Sequence, residues 1–335
     1  MQLGGYTRET LNRFRSCALG LLAVSAIGVA CTTTSSRGTP LQVRDDRDSG
    51  KGPSIDTTDD DGADPFLPDG GKPPGRVYAN TGKALYLFDP LANKLSYVGD
   101  FGCVPQDGIG ELGQSDTNDA VLDIAIDREG QMYGTTYWRF IKISPTDASC
   151  TVLNVEETNN LYPNSLSFVP IGTADPTQEV LVGYGYQNGY ATRYTKIDLA
   201  TGARSLLGNM NTPQLDGGAR YGLSGDFISV DRGQPKTYGA VTRIVDGGAS
   251  TATDLLAELD PATGAVKRII GDMKQKDFYG LGFWAGTAYG LSATGGIYAV
   301  DMKTAKAELI LQTKNDAGPI VWFGGGVTTD TPTAP

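Results

Sequence analysis

Short runs in which apolar and polar residues alternate recur along this chain, each broken by Gly, Asp, Asn or Pro. A period of two marks a strand with one buried face, and runs bounded by turn residues read as β-strands. The runs fall into four series. In one, an aromatic or apolar strand position is followed by a small residue: Val77-Tyr78-Ala79, Met132-Tyr133-Gly134, Leu181-Val182-Gly183, Thr237-Tyr238-Gly239 and Ala288-Tyr289-Gly290. A second series follows it: Leu85-Tyr86-Leu87-Phe88, Phe140-Ile141-Lys142-Ile143, Tyr194-Thr195-Lys196-Ile197, Leu256-Ala257-Glu258-Leu259 and Ile297-Tyr298-Ala299-Val300. Each member of it runs into Asp89, Ser144, Asp198, Asp260 or Asp301, residues that open turns. A third series at 94–99, 151–155, 204–208, 266–271 and 307–312 then completes a hairpin. A fourth, largely apolar series precedes the first at 124–126, 166–169, 227–230 and 281–284.

In sheet order these series are a, b, c and d, with the apolar a strand innermost. The small residues of b stand at 79, 134, 183, 239 and 290, in steps of 55, 49, 56 and 51. A β-type repeat of about 50 residues is the mark of propeller blades. Four a strands precede five b strands, and the missing one is Ile320-Val321-Trp322-Phe323 near the C-terminus. The expected fold is all-β: a five-bladed β-propeller of four-stranded antiparallel blades over residues 76–329. Its C-terminal strand joins the first blade, which leaves the ring without an open edge. Gly324-Gly325-Gly326 reads as a tight turn after that strand, and the long step from Asp198 to Asp260 as an insertion around Asp246–Thr253. A six-bladed ring with one degenerate blade is the alternative. The phrase Leu259-Asp260-Pro261-Ala262-Thr263-Gly264 resembles repeats of secreted bacterial β-propellers of uncharacterised function. That resemblance implies a fold and an exported address, and leaves activity open.

Composition narrows the chemistry. The 45 glycines among 335 residues suit a turn-dense β protein, and the formal charge of −10 repels phosphate backbones, so no nucleic-acid partner is expected. There is no histidine, which removes Ser-His-Asp and Cys-His catalysis and every His-ligated metal site. No cofactor is expected. At the N-terminus Arg8, Arg13 and Arg15 precede an uncharged stretch whose apolar heart runs from Ala18 to Ala30. It reads as a signal peptide over 1–30, too short for a comfortable membrane span. Val29-Ala30-Cys31 resembles a bacterial lipobox, with Gly28 where such signals usually carry Leu. The resemblance implies acylation of Cys31 and a membrane held through that anchor, and Thr32 resembles an outer-membrane sorting residue. Residues 31–75 read as a disordered acidic linker, nine Asp against five Lys and Arg over 37–75, and 330–335 as a disordered tail. The Asp-rich run 56–64 does not fit a calcium loop.

Cys103 and Cys150, in an exported domain, are expected to form a disulfide, although one follows a d strand and the other begins one. The expected ligand face is the mouth of the central channel, where d–a and b–c loops meet. It carries Tyr137, Trp138, Tyr186 to Tyr190, Tyr221 and Tyr279. Aromatic rings with amide side chains suit a sugar. The candidate binding residues are Asp123, Trp138, Tyr186, Asn188 and Tyr190, with Asp123 at the start of an a strand and Asn164 and Asp226 in similar places. The expectation is a non-catalytic binding or interaction module at the cell envelope, its partner a glycan or a protein. The rivals are a carboxylate-dependent glycan hydrolase or lyase using Asp123, Asp226 and Glu156 or Glu157, and a structural envelope protein.

Overall fold

The computed structural model describes residues 76–104, 119–157, 160–231, 233–245, 252–315 and 318–331. The signal peptide, Cys31, the linker and residues 246–251 of the expected insertion lie outside them. The described chain is all-β and its sheets are antiparallel. The strands are β1 (Val77–Asn80), β2 (Ala84–Asp89), β3 (Lys94–Asp100), β4 (Asp123–Ile126), β5 (Met132–Thr135), β6 (Arg139–Ile143) and β7 (Cys150–Val155). Then come β8 (Ser165–Val169), β9 (Val180–Gln187), β10 (Tyr190–Ile197), β11 (Arg204–Asn209), β12 (Arg220–Asp231), β13 (Pro235–Ile244), β14 (Leu255–Leu259) and β15 (Val266–Asp272). The last are β16 (Phe278–Trp284), β17 (Thr287–Ser292), β18 (Gly296–Val300), β19 (Ala307–Gln312), two short strands β20 (Lys314–Asn315) and β21 (Gly318–Pro319), and β22 (Gly324–Gly326).

Three sheets have the order β22-β1-β2-β3, β4-β5-β6-β7 and β16-β17-β18-β19. The sets β8–β11 and β12–β15 join into one eight-stranded sheet through the pairing of Ala191 with Leu223. The innermost strands touch in the order β22, β4, β8, β12, β16 and back to β22. Five apolar clusters fill the spaces between neighbouring sets. One such layer joins Tyr78 and Leu85 to Ile124 and Ile141, and another joins Tyr289 and Leu291 to Val77 and Phe88. Burial lies between sheets, so both faces of an inner strand such as β4 or β8 are buried, while the outer strand β3 mixes exposed and half-buried positions.

The recurrent small residue of the b strands follows from this packing. A Cβ on Gly183 would sit 2.6 Å from Pro163 Cβ, and one on Gly290 2.6 Å from Phe278 Cδ1. The c–d turns share one geometry. In the turns opened by Asp198, Asp260 and Asp301 the carboxylate accepts backbone N–H groups two and three residues on. The fifth residue of each turn has positive φ: Asn93 (48°), Ala148 (59°), Gly202 (68°), Gly264 (71°) and Ala305 (64°).

Three details depart from the sequence reading. The strand that pairs with β1 is Gly324–Gly326, not Ile320–Phe323, with Ala79 opposite Gly325. Trp322 is instead a buried plug, edge-on to Tyr86. Glycine is required in β22 because a Cβ on Gly324 would lie 2.1 Å from Asp123 Oδ1, and one on Gly325 2.9 Å from the Leu281 carbonyl. Next, the long fourth set extends its strands: Arg220–Leu223 pairs with Val241–Ile244 beyond a register shift between Leu223 and Phe227. Finally, Thr331 is buried and donates to the Phe283 carbonyl, so ordered chain runs past position 329.

Cys103 and Cys150 are bonded, with Cα atoms 5.4 Å apart. Each sheet twists by roughly 20–25° per strand pair, which carries the end of an outer strand over the next set's c–d turn. A Cβ on Gly99 would lie 2.3 Å from the Asp147 carbonyl, and one on Gly208 2.1 Å from that of Thr263. The end of β3 therefore lies beside the start of β7.

Candidate functional site

At one axial end the inner strands bring equivalent positions together. They are Asp123, Ser165 and Gly324 at the starts of β4, β8 and β22, and Asp226 and Gly280 inside β12 and β16, each followed by an amide directed at the axis. Asp123 and Asp226 take up all five of those amides. Asp123 accepts from Ile124 N (2.8 Å), Leu166 N (2.6 Å) and Gly325 N (3.1 Å). Asp226 accepts from Phe227 N (2.6 Å), Leu281 N (2.7 Å) and again Gly325. The two carboxyl groups are fully buried and hydrogen-bonded to each other. Burial, then mutual repulsion, holds Asp123 well above the usual carboxylate range, and burial pushes Asp226 up to about 8. Both carboxyls therefore favour the protonated form near neutral pH. Asp123 thus closes the axis from inside and does not line an open channel.

The opposite end of the axis is covered by the segment after β22. Val327, Thr328, Thr329 and Thr331 are buried there. Asp231 N donates to the Thr329 carbonyl, and the Thr329 hydroxyl bonds Glu179, which also pairs with Arg128. These anchors sit at the far ends of the inner strands, so the segment ties several sets together.

The accessible chemistry lies at the first end. Three tyrosines from three strand sets stand at this end: Tyr137 in the β5–β6 connection, Tyr186 near the tip of β9 and Tyr279 at the start of β16. Tyr137 is pushed up to about 12 by burial and then by the Tyr186 and Tyr279 hydroxyls. Tyr279 is raised by burial, then by Asp277, Tyr186 and Asp254. Tyr186 is 56% exposed and Tyr279 37%. Burial raises the Tyr186 hydroxyl above its ordinary value. Asp254 is buried beside them, accepting from the Ser224 hydroxyl (2.5 Å) and Phe278 N (3.0 Å). Burial and, secondarily, Asp277 push it up to about 6.

The other expected residues have different surroundings. Trp138 is half-buried, and its backbone N–H donates to the Thr136 hydroxyl. Asn188 and Gly189, at φ of 54° and 86°, form the tight turn between β9 and β10. Tyr190 is half-buried and packs where Gly222 leaves room for it. Glu156 is bound to Arg204, whose guanidinium lies 4.1 Å over the Tyr162 ring, away from Asp123. Sequence reading placed Tyr137 and Tyr279 on this face but favoured Trp138. It passed over Asp254 and Asp277, whose only signal was a position just ahead of an inner or c strand.

No protein-family profile and no curated protein matches the chain. Similar solved structures include a protein of unknown function from Bacteroides caccae, at 10% identity and a TM-score of 0.37 over 76% of this chain and 98% of that one. Another is an auxiliary nutrient binding protein from Bacteroides thetaiotaomicron, at 12% identity and a TM-score of 0.36 over 73% of this chain and 56% of that one. A third is the WD40 beta propeller domain of Doa1, at 10% identity and a TM-score of 0.36 over 75% of this chain and 81% of that one.

Proposed function

We propose that the chain is an exported five-bladed propeller, closed by its C-terminal strand, that acts as a non-catalytic binding module at the cell envelope. The cycle of contacts among β22, β4, β8, β12 and β16 supports five blades in a closed ring. The signal-like N-terminus and the lipobox resemblance at Cys31 support a lipid anchor at the outer membrane. The observation that carries the binding reading is the presence of Tyr137, Tyr186 and Tyr279, from three strand sets, at the axial end opposite the one the C-terminal segment covers. Accessible rings with a hydroxyl each fit an extracellular glycan or a small polar ligand.

A hydrolase would need two carboxyl groups apart, by roughly 5–10 Å, with the sugar between them. Asp123 and Asp226 bond each other, and their oxygens are committed to the five inner-strand amides. The full chain and a Tyr186→Ala/Tyr279→Ala variant would be passed over immobilised envelope and extracellular polysaccharides. Retention and new reducing ends would be read in the same samples. Retention by the wild type, at least tenfold weaker in the variant and without cleavage, is the expected result. Cleavage would replace the proposal with an enzyme. Equal retention of both proteins would move the site elsewhere.

A further inference from the structure

A ladder of three aromatic rings runs from the interior to the surface through the first strand set. Trp322 is fully buried, and its ring meets Tyr86 edge-on at a centroid distance of 5.3 Å. Tyr86 is half-buried and meets Tyr97 edge-on at 5.5 Å. Tyr97 stands directly opposite it on β3 and is 45% exposed. The two ends of the ladder differ in what surrounds their protons. The Trp322 indole N–H is buried and has no acceptor among the described residues. The Tyr97 hydroxyl donates to Asp100. That bond has its cause in the strand. The pairing of β2 with β3 shifts between Leu85 and Tyr86, so Val98 is an extra residue in β3. Tyr97 therefore stands opposite Tyr86 and Asp100 opposite Ala84, two positions along β2, which puts both side chains on one face of the sheet.

We propose that this ladder carries oxidising equivalents from the interior to Tyr97, which makes Tyr97 a redox-active tyrosine. The co-reactant is a diffusible one-electron oxidant, an inorganic radical. It takes an electron from one of the three rings and is itself reduced. Rings in contact exchange the hole, which settles where a proton can leave with the electron. A Trp322 radical cation keeps its N–H proton for want of an acceptor, so the hole is not trapped there. At Tyr97 the electron moves into the hole, the O–H bond breaks and the proton passes to the Asp100 carboxylate. The neutral phenoxyl radical that results stands at the surface, within reach of an external thiol. The thiol gives up one electron to the phenoxyl and one proton to solvent, Asp100 returns its proton, and the phenol is restored. Two thiyl radicals so formed join as a disulfide. Burial, and then the bond to Asp100, keeps the Tyr97 phenol protonated at rest. Tyr186 is more exposed, at 56%, yet among the described residues no ring stacks on it and no carboxylate accepts its hydroxyl. Exposure alone thus favours oxidation of Tyr186, and the ladder favours Tyr97.

The test exposes the full chain to carbonate radicals. Oxidised residues would be mapped by peptide mass spectrometry, and radicals trapped by freezing would be read by electron paramagnetic resonance. The wild type should give a tyrosyl signal, with oxidation at Tyr97 ahead of Tyr186 and with Trp322 intact. Tyr97→Phe should lose that signal and oxidise Trp322. Asp100→Asn keeps all three rings and should move oxidation from Tyr97 to Trp322. Both substitutions fall at exposed positions, and thermal unfolding beside the wild type would verify the fold. Any of three results would overturn the proposal: Tyr186 oxidised ahead of Tyr97 in the wild type, equal Trp322 oxidation in the wild type and Tyr97→Phe, or an Asp100→Asn pattern identical to that of the wild type.

Discussion

A single backbone position sets each c–d turn. Asn93, Ala148, Gly202, Gly264 and Ala305 all occupy the left-handed region, where only Gly is free of a Cβ penalty of roughly 1–2 kcal/mol. Two of the five are Gly, and for those a second reason exists. A Cβ on Gly264 would lie 2.4 Å from Tyr194 Cγ, and one on Gly202 2.6 Å from the Tyr162 hydroxyl. Gly264→Ala should therefore cost more than about 2 kcal/mol in denaturant unfolding. Gly233→Ala, at φ 78° with nothing within 4 Å, should cost only the backbone share, about 1 kcal/mol. Equal costs would mean that Tyr194 gives way and that the contact is not tight. The Thr-Gly phrase was legible in the sequence as a turn. Why Ala148 and Ala305 fill the same place was not, because only the superposed turns reveal a shared dihedral.

Among the elements, β4, β12 and β22 depend on the axial carboxyl pair. A buried acid whose folded pKa is raised binds its proton in the folded state but not, above about pH 4, in the unfolded one. Its contribution is fully present below the unfolded value and is lost as pH rises through the folded value, which for Asp226 is about 8. Thermal stability should accordingly fall between about pH 5 and pH 9. Asp226→Asn should flatten that slope, since an amide can donate to Asp123 without a titrating proton. It should also lower stability at pH 5 by about 1–3 kcal/mol, because one inner-strand N–H loses its acceptor. An unchanged slope in the variant would mean that Asp226 does not hold its proton in the folded state. The disulfide acts on β3 and β7: it closes a separation of 47 residues. Cys103→Ser/Cys150→Ser should cost about 2–4 kcal/mol in chemical unfolding.

For the whole molecule, the last ordered residues matter as much as any set of four strands. β22 completes the sheet begun by β1, and the segment behind it covers one end of the axis. A chain ending at residue 323 leaves β1 with an open edge and Asp123 without the Gly325 amide. It should lose the single cooperative transition of the full chain and expose apolar surface, read by dye binding. An unaltered transition would mean that the proposed ring does not rely on its C-terminal strand. Truncation after residue 331 should change little.

Local pattern determined which residues form strands, where the hairpins turn and how often the unit repeats. Those properties depend on alternation and turn chemistry within a few residues, and both are written in the chain. It also supplied the pairing of Cys103 with Cys150, through the small number of cysteines outside the signal. Long-range geometry decided the rest. A glycine run is a turn by local propensity, and it becomes a strand beside β1, where Asp123, Asn80 and Leu281 leave no room for side chains. Asp123 and Asp226 stand 103 residues apart, and a lone acid in an apolar strand gives no sign that another will be buried against it. Tyr137, Tyr186 and Tyr279 lie in three different repeats, so their meeting, with Asp254 and Asp277 behind them, exists only once the inner strands have gathered about one axis.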